Sequence, residues 1–245
     1  MSCFPALFGI KASQMQKNCI LLPLLPREFL KRLKIKKIYR GKLFSAANTP
    51  GLSIVVSGVG PALAGDAVLY LKESPCKNLI LFGSCGLVKE KPGLSIASLV
   101  APAKSHAHES FSQLLLEKNR KPEVSYPERK LFQRLMEFGQ NHNLKEVTCA
   151  TVSSLKLEEK MRRDFIKSKV DVVDMECSAF FSACGFSGIK GAAIFYISDI
   201  IKEKPFYRNL DSLSRIKLNQ SIERAADLLS AFIKELTKHH DKSIS

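Results

Sequence analysis

Residues 170–184 have the sequence VDVVDMECSAFFSAC, in which an apolar run ends at acids and small residues follow at once. The run Val170–Val173 is short and β-branched, which is typical of a strand buried on both faces. The helix predicted over Met175–Cys184 begins where that strand ends. Glu176 therefore stands at the carboxyl end of a strand, where α/β sheets bind ligands. Alternatively, its carboxylate only stabilises the positive end of the helix dipole.

The same alternation of short apolar runs and longer amphipathic runs extends along the chain. Strands are also predicted at Cys19–Leu22, Leu52–Ser57, Asn78–Phe82, Ile96–Ala101, Val147–Val152 and Ala192–Ile197. The other predicted helices are Pro61–Lys72, Glu128–His142, Leu157–Lys167 and Ser212–Lys238. The pattern predicts an α/β fold of three layers, with a central mixed, largely parallel sheet flanked by helices. We expect residues 1–245 to form a single domain whose core spans about residues 18–238.

The composition is that of a globular protein, with 45% hydrophobic and 25% charged residues, and it excludes bulk disorder. No run of about 18 apolar residues is present, so we expect no membrane association. The net charge is +15, and residues 1–48 hold ten Lys or Arg against one acid. Such a patch suits nucleic acid or an anionic ligand, unless it is only a solvated lysine-rich face. Because no aromatic residue interrupts the basic run Lys31–Lys37, we expect no nucleic-acid partner.

Seven scattered cysteines include no Cys-x-x-Cys pair, which argues against a zinc site or a redox dithiol. We therefore expect neither a metal nor an organic cofactor. Thiols of this kind, mostly within apolar runs, are typical of a reducing cytoplasm.

Two glycine-containing segments follow predicted strands. Ser57–Pro61 lacks the third glycine of the dinucleotide-binding fingerprint, so that fingerprint fails. Leu81–Gly86 is predicted to end in a glycine turn, in which backbone amides and Ser84 could approach a polar ligand. Each segment could equally be a structural turn.

Two further acids stand after apolar strands. Asp199 follows Ala192–Ile197, and a poorly solvated carboxyl there is expected to hold a proton near neutral pH. Glu28 follows Cys19–Leu22 and is the only acid in the first 65 residues. Each acid alone is more typical of a solvated surface, whereas three acids at strand ends favour an active site.

The order of Gly58-Val59-Gly60, Gly83–Gly86, Val173–Glu176 and Ile197–Asp199 resembles the methylthioadenosine/S-adenosylhomocysteine nucleosidases over roughly residues 18–236. These enzymes belong to the nucleoside phosphorylase superfamily, and futalosine hydrolases are the relatives that this chain resembles most. The resemblance implies a hydrolase of the N-ribosidic bond of purine nucleosides, without a cofactor. It also implies a homodimer whose partner subunit closes part of the pocket for the 5′ substituent.

Site residues follow from this resemblance. It implies that Asp199 protonates the purine N7 with Ser198 orienting it, and that Glu28 activates water. It implies that Glu176 binds the ribose hydroxyls and Met175 packs against the sugar. Further contacts with the substrate are expected from Ser84, Leu25, Cys85, Gly86, Val152 and Ser153.

The substrate predicted first is aminodeoxyfutalosine or futalosine, which would release adenine or hypoxanthine in menaquinone biosynthesis. This preference rests on Leu25–Glu28, on Thr151–Ser154 and on a basic N-terminal third that suits an anionic 5′ group. The alternatives are a methylthioadenosine/S-adenosylhomocysteine nucleosidase, a nucleoside phosphorylase and a non-catalytic nucleoside-binding protein. Phosphorolysis is disfavoured because the Gly-Asp-Pro-x-Arg element of phosphorylases is missing from the sequence. Two departures from the nucleosidase pattern, Pro26-Arg27 before Glu28 and Leu87 after Gly86, bear on substrate preference.

Overall fold

The computed structural model describes residues 2–115 and 124–241. Its strands are β1 (Asn18–Leu22), β2 (Tyr39–Arg40), β3 (Ser45–Thr49), β4 (Leu52–Val56), β5 (Asn78–Leu87), β6 (Leu99–His108), β7 (Val124–Ser125), β8 (Lys145–Val152), β9 (Val172–Asp174) and β10 (Lys190–Ile200). Its α-helices are α1 (Phe4–Phe8), α2 (Arg27–Arg32), α3 (Pro61–Leu71), α4 (Phe111–Leu115), α5 (Arg129–Gly139), α6 (Leu155–Lys167), α7 (Cys177–Ser187) and α8 (Ser212–Asp241). Within the described ranges, no helix combines the length and the apolar character needed to cross a membrane.

The strands form one mixed sheet, which confirms the predicted α/β class. β1 pairs in parallel with β4 and β5, and β5 pairs in parallel with β10. Strands β5, β10, β6, β8 and β9 pair in a closed cycle, because β10 joins β6 and β9 returns to β5. The antiparallel strands β3 and β2 extend the sheet beyond β4.

Helices cover both faces of the sheet, and side chains of β1 alternate between the two layers. Cys19 and Leu21 belong to one apolar cluster, which contains residues of α3 and α7. Ile20 and Leu22 belong to the other, which contains residues of α2, α5 and α8. All four are fully buried, so β1 lies in the middle of the sheet.

The predicted glycine turn at Gly83–Gly86 is wrong, because β5 continues through these residues to Leu87. The low strand propensity of glycine is outweighed by pairing on two sides. β10 follows this segment in parallel, and Gly86 also pairs with Val173 of β9. The strand predicted over Ile96–Ala101 also differs, since β6 begins later and runs on to His108.

Candidate active site

A cavity of about 290 Å³ lies at the carboxyl ends of β1, β5, β9 and β10. This volume is close to the lower end of the range of small-molecule sites, roughly 300–1,000 Å³. The lining is acidic: it contains four carboxyl groups, and no Lys, Arg or His occurs among the lining residues described. Its members are Pro23, Leu24, Pro26, Val59, Gly83, Ser84, Cys85, Gly86, Leu155, Glu158, Val173, Asp174, Met175, Glu176, Tyr196, Ser198, Asp199 and Phe206.

A β-bulge near the end of β10 positions Asp199. The register against β5 shifts between Ile197 and Asp199, so Ser198 is an extra residue and the direction of the next side chain changes. The Ser198 hydroxyl donates a 2.6 Å hydrogen bond to Asp199 Oδ1. On the facing strand, a Cβ on Gly86 would lie 3.4 Å from Asp199 Oδ2, so glycine leaves space beside the carboxyl group.

Glu176 is held by the turn that precedes α3. The backbone N–H of Gly60 donates a 2.7 Å hydrogen bond to Glu176 Oε1. Gly60 has φ +117°, a conformation that side-chain-bearing residues rarely adopt. The segment Ser57–Pro61, which does not match the dinucleotide-binding fingerprint, therefore orients the buried carboxyl group of Glu176 in the cavity.

Asp174 positions Glu176 by capping the turn before α7. Asp174 Oδ2 accepts hydrogen bonds from the backbone N–H groups of Glu176 at 2.9 Å and Cys177 at 2.7 Å. Its Oδ1 accepts a 2.6 Å hydrogen bond from the Thr151 hydroxyl on β8. Both oxygens are thus used within the protein, which favours a structural role for Asp174.

One group of potential metal ligands occurs in the described residues, formed by Cys149, Asp174 and Cys177 within 4.8 Å of one another. All three residues are buried. Structural zinc sites almost always have four ligands, and the Asp174 oxygens here already accept hydrogen bonds from Thr151 and from the backbone. The group is therefore best explained as a hydrogen-bonded cluster that stabilises the start of α7.

Burial raises the pKa of all four carboxyl groups in the cavity. Burial and the nearby charge of Asp174 raise the pKa of Glu176 to about 8. Burial and the charge of Asp199 raise the pKa of Glu158 to about 7. Burial also raises the pKa of Asp199, although the hydrogen bond from Ser198 opposes this shift. The cavity thus contains carboxyl groups that exchange protons near neutral pH, as acid–base catalysis requires.

These pKa shifts predict that the free energy of unfolding falls as pH rises from 6.5 to 8. A carboxyl whose pKa is raised by folding binds more protons in the folded than in the unfolded state, so the free energy of unfolding falls between the unfolded and the folded pKa and levels off above the folded pKa. We expect a loss of roughly 1–2 kcal/mol from Glu158 and Glu176. Below pH 6.5, His106 and His108 oppose this trend, because burial lowers their pKa.

Urea denaturation at pH 6.5, 7.2 and 8.0 measures this effect. The Glu176→Gln variant is expected to flatten the slope, while Glu146→Gln at an exposed position keeps it. A wild-type free energy of unfolding that rises over this interval would contradict the shifts.

Seven of the eleven predicted site residues line the cavity. They are Asp199, Glu176, Met175, Ser84, Ser198, Cys85 and Gly86. The other four, Glu28, Leu25, Val152 and Ser153, are not among the lining residues. Glu28 lies in the first turn of α2, where its carboxylate pairs with Lys31 Nζ at 3.3 Å. Leu24 and Pro26 line the cavity on either side of Leu25.

The sequence prediction missed Glu158, Tyr196 and Phe206 as lining residues. Leu155 is the first residue of α6, and Glu158 lies in the same first turn of that helix. Glu158 is three residues before Met161 and seven before Phe165, which pack in one apolar cluster. An acid on the apolar face of a helix is the signal that could have identified it.

Comparison with known proteins assigns the chain to a family. The model of the family described as the phosphorylase superfamily matches residues 15–236. Among curated proteins, no sequence matches this chain. Uridine phosphorylase from Vibrio fischeri ES114 is similar in structure with 17% identity and a TM-score of 0.72, over 90% of this chain and 92% of that one.

Two nucleoside hydrolases resemble this chain in structure about as much as the uridine phosphorylase does. The 5′-methylthioadenosine/S-adenosylhomocysteine nucleosidase of Campylobacter jejuni has 16% identity and a TM-score of 0.71, over 90% of this chain and 99% of that one. A futalosine hydrolase mutant of Helicobacter pylori strain 26695 has 15% identity and a TM-score of 0.69, over 90% of this chain and 100% of that one. At these identities the likeness establishes a common fold. Since the family model also spans nearly the whole sequence, this chain belongs to the phosphorylase superfamily.

Proposed function

We propose that this protein hydrolyses the N-ribosidic bond of a 5′-modified purine nucleoside and releases adenine or hypoxanthine. The observation that carries the proposal is the cavity lining, which combines four carboxyl groups with no basic side chain among the residues described. Such a lining suits a neutral sugar, a base that accepts a proton and a water nucleophile. It would repel phosphate, the nucleophile of a phosphorylase, which proteins bind through cationic side chains.

Asp199 is proposed to protonate the base. Cleavage of an N-glycosidic bond builds positive charge on the sugar and negative charge on the leaving base, so a proton delivered to N7 lowers the barrier. Asp199 is 5% exposed, and burial raises its pKa, which keeps the carboxyl group protonated closer to neutral pH. Ser198 supports this role because its hydroxyl fixes one carboxyl oxygen.

Glu176 is proposed to bind the ribose 2′ and 3′ hydroxyls, with Met175 against the sugar. One oxygen of Glu176 is fixed by Gly60, and the residue is 4% exposed. Glu176 retains acceptor capacity for the ribose hydroxyls, and these donors would favour its ionised form against the effect of burial, which raises its pKa to about 8. Ser84 lines the same cavity from β5 and is available to the sugar or the water.

Glu28 is proposed to activate the attacking water, as the family resemblance implies. The structure adds a requirement to this role, because the Glu28 carboxylate contacts Lys31 and lies outside the cavity lining. Pro26 does line the cavity, two residues before Glu28. Binding of substrate would therefore have to turn the first residues of α2 so that Glu28 leaves Lys31.

We expect Glu28→Gln to lower kcat by roughly 10²–10⁴-fold, because glutamine cannot accept a proton from water. Binding of adenine, measured by calorimetry, is expected to remain. Lys31→Gln is the control, since it removes the ion pair of Glu28 and leaves the carboxylate in place. If Glu28→Gln turns over at the wild-type rate, the base lies elsewhere, and Glu176 becomes the first candidate.

The mouth of the cavity favours a large 5′ substituent. Four of the lining residues are apolar and more than a third exposed, namely Leu24, Val59, Leu155 and Phe206. Arg27 is exposed and directly follows the lining residue Pro26. Among the basic residues of the N-terminal third, it is the one closest in sequence to a lining residue. An aromatic 5′ extension that ends in a carboxylate, as in aminodeoxyfutalosine or futalosine, fits this combination. Its hydrolysis would belong to menaquinone biosynthesis.

A homodimer is proposed because the exposed apolar rim would be covered by a second copy of the chain, which would then close the pocket for the 5′ group.

A cytoplasmic location is also proposed. All seven cysteines lie within the described residues and are free thiols, six of them buried, which suits a reducing compartment.

Adenine release tests the proposed function. Methylthioadenosine, S-adenosylhomocysteine and aminodeoxyfutalosine are compared in phosphate-free buffer, with product detected by chromatography. Release that is fastest from aminodeoxyfutalosine supports the proposal, whereas release that is fastest from methylthioadenosine supports the salvage nucleosidase. Activity that appears only when phosphate is added identifies a phosphorylase. No release under either condition, with adenine still bound, leaves a nucleoside-binding protein.

A further inference from the structure

A buried carboxyl group in the cavity has no assigned role. Glu158, in the first turn of α6, is 6% exposed and lines the cavity together with Asp199. Within residues 2–115 and 124–241, its side chain forms no hydrogen bond and no ion pair. Its carboxyl oxygens are therefore open to the contents of the cavity, where a ligand group can replace water as their partner.

The charges around Glu158 are acidic. Burial raises the pKa of Glu158, and the negative charges of Asp199 on β10 and Glu159 on α6 raise it further. The nearby Arg162 is used elsewhere, since its side chain donates to Val88 O and to Glu203. With a pKa of about 7, Glu158 is present in both protonation states near neutral pH.

The polar edge of a purine presents two groups side by side, N7 and the 6-substituent. If Asp199 faces N7, a second carboxyl group close to Asp199 is positioned for the 6-substituent. Adenine offers an amino donor there, and hypoxanthine offers a carbonyl acceptor. We propose that Glu158 recognises the 6-substituent, accepting a hydrogen bond from the adenine amino group when ionised and donating one to the hypoxanthine oxygen when protonated. This inference rests on the proposed function, in which Asp199 faces N7.

The consequence is that base preference changes with pH. As pH rises through about 7, Glu158 ionises, gains an acceptor for the amino group and repels O6. Asp199 and Glu176 also titrate, but Asp199 meets N7 in both bases and Glu176 is proposed to bind the ribose, which the free bases lack. Their effects therefore cancel when the affinities for adenine and hypoxanthine are expressed as a ratio.

Calorimetric binding of free adenine and free hypoxanthine at pH 6 and pH 8 tests the inference. We expect the wild-type protein to prefer adenine by roughly 10–100-fold at pH 8, the range for a hydrogen bond to a charged group, and by several-fold less at pH 6. Glu158→Gln is expected to lose this pH dependence, because an amide can donate or accept at either pH. Asp164→Asn, an exposed acid on the same helix, is the matched control and is expected to behave like the wild type.

A wild-type ratio that is equal at the two pH values overturns the inference, and this measurement needs no variant. A Glu158→Gln protein that keeps the wild-type pH dependence also overturns it, as does failure of both bases to bind. These binding measurements do not depend on turnover. Failure of the adenine-release assay would therefore overturn hydrolysis separately from base recognition by Glu158.

Discussion

Asp199→Asn is expected to lower kcat for N-ribosidic hydrolysis by roughly 10²–10⁴-fold, the range for loss of a general acid. Asparagine has the same shape and still accepts the 2.6 Å hydrogen bond from Ser198, but it holds no transferable acidic proton. Single-turnover adenine release measures the chemical step, and calorimetry with adenine measures binding, which we expect to persist. Asp164→Asn removes an exposed acid of α6 as a control and is expected to keep wild-type turnover.

The pH profile provides a second readout for Asp199. Because the protonated form is the active one, kcat is expected to fall as pH rises through the pKa of Asp199. The hydrogen bond from Ser198 lowers that pKa, so Ser198→Ala is expected to move the alkaline limb to higher pH. A wild-type rate in Asp199→Asn, or an unmoved limb in Ser198→Ala, would overturn the assignment of the acid.

Glu176→Ala is expected to lower kcat/KM by roughly 10²–10⁴-fold. A hydrogen bond to a charged group contributes about 1.5–3 kcal/mol, and this carboxylate is proposed to accept two of them from the ribose. The variant also leaves the Gly60 N–H without its 2.7 Å acceptor. Kinetics with a ribonucleoside and with its 2′-deoxy analogue measure the effect, because the wild type is expected to discriminate between them and the variant is not.

The conservative variant Glu176→Gln separates the charge from the shape of this side chain. Glutamine keeps the acceptor for Gly60 but loses the negative charge, so we expect a smaller loss than in Glu176→Ala. Thermal unfolding of both variants controls for damage to α7, whose capping residue Asp174 is unchanged. An alanine variant that still prefers the ribonucleoside would show that the hydroxyl groups bind elsewhere.

Sequence patterns located the acids at strand ends and failed for the groups that reach the cavity from other elements. Glu176 and Asp199 each follow an apolar strand, and both line the cavity. Glu158 was missed because the spacing of apolar residues predicts a helix but does not show which face of that helix lines a cavity. Glu28 was predicted as a site residue, yet its carboxylate pairs with Lys31 one helical turn away, a local contact that depends on the side-chain direction in α2.

Local sequence patterns account for the α/β class, the alternation of strands and helices and the acids at the ends of β9 and β10. These properties depend on hydrophobic periodicity and turn residues over a few positions, so they can be inferred without long-range contacts. Tertiary structure alone decided the continuation of β5 through Gly83–Gly86, the bulge at Ser198 and the bond between Gly60 and Glu176. Each depends on pairing between segments far apart in the chain, and strand register and closure follow from that pairing rather than from local propensity.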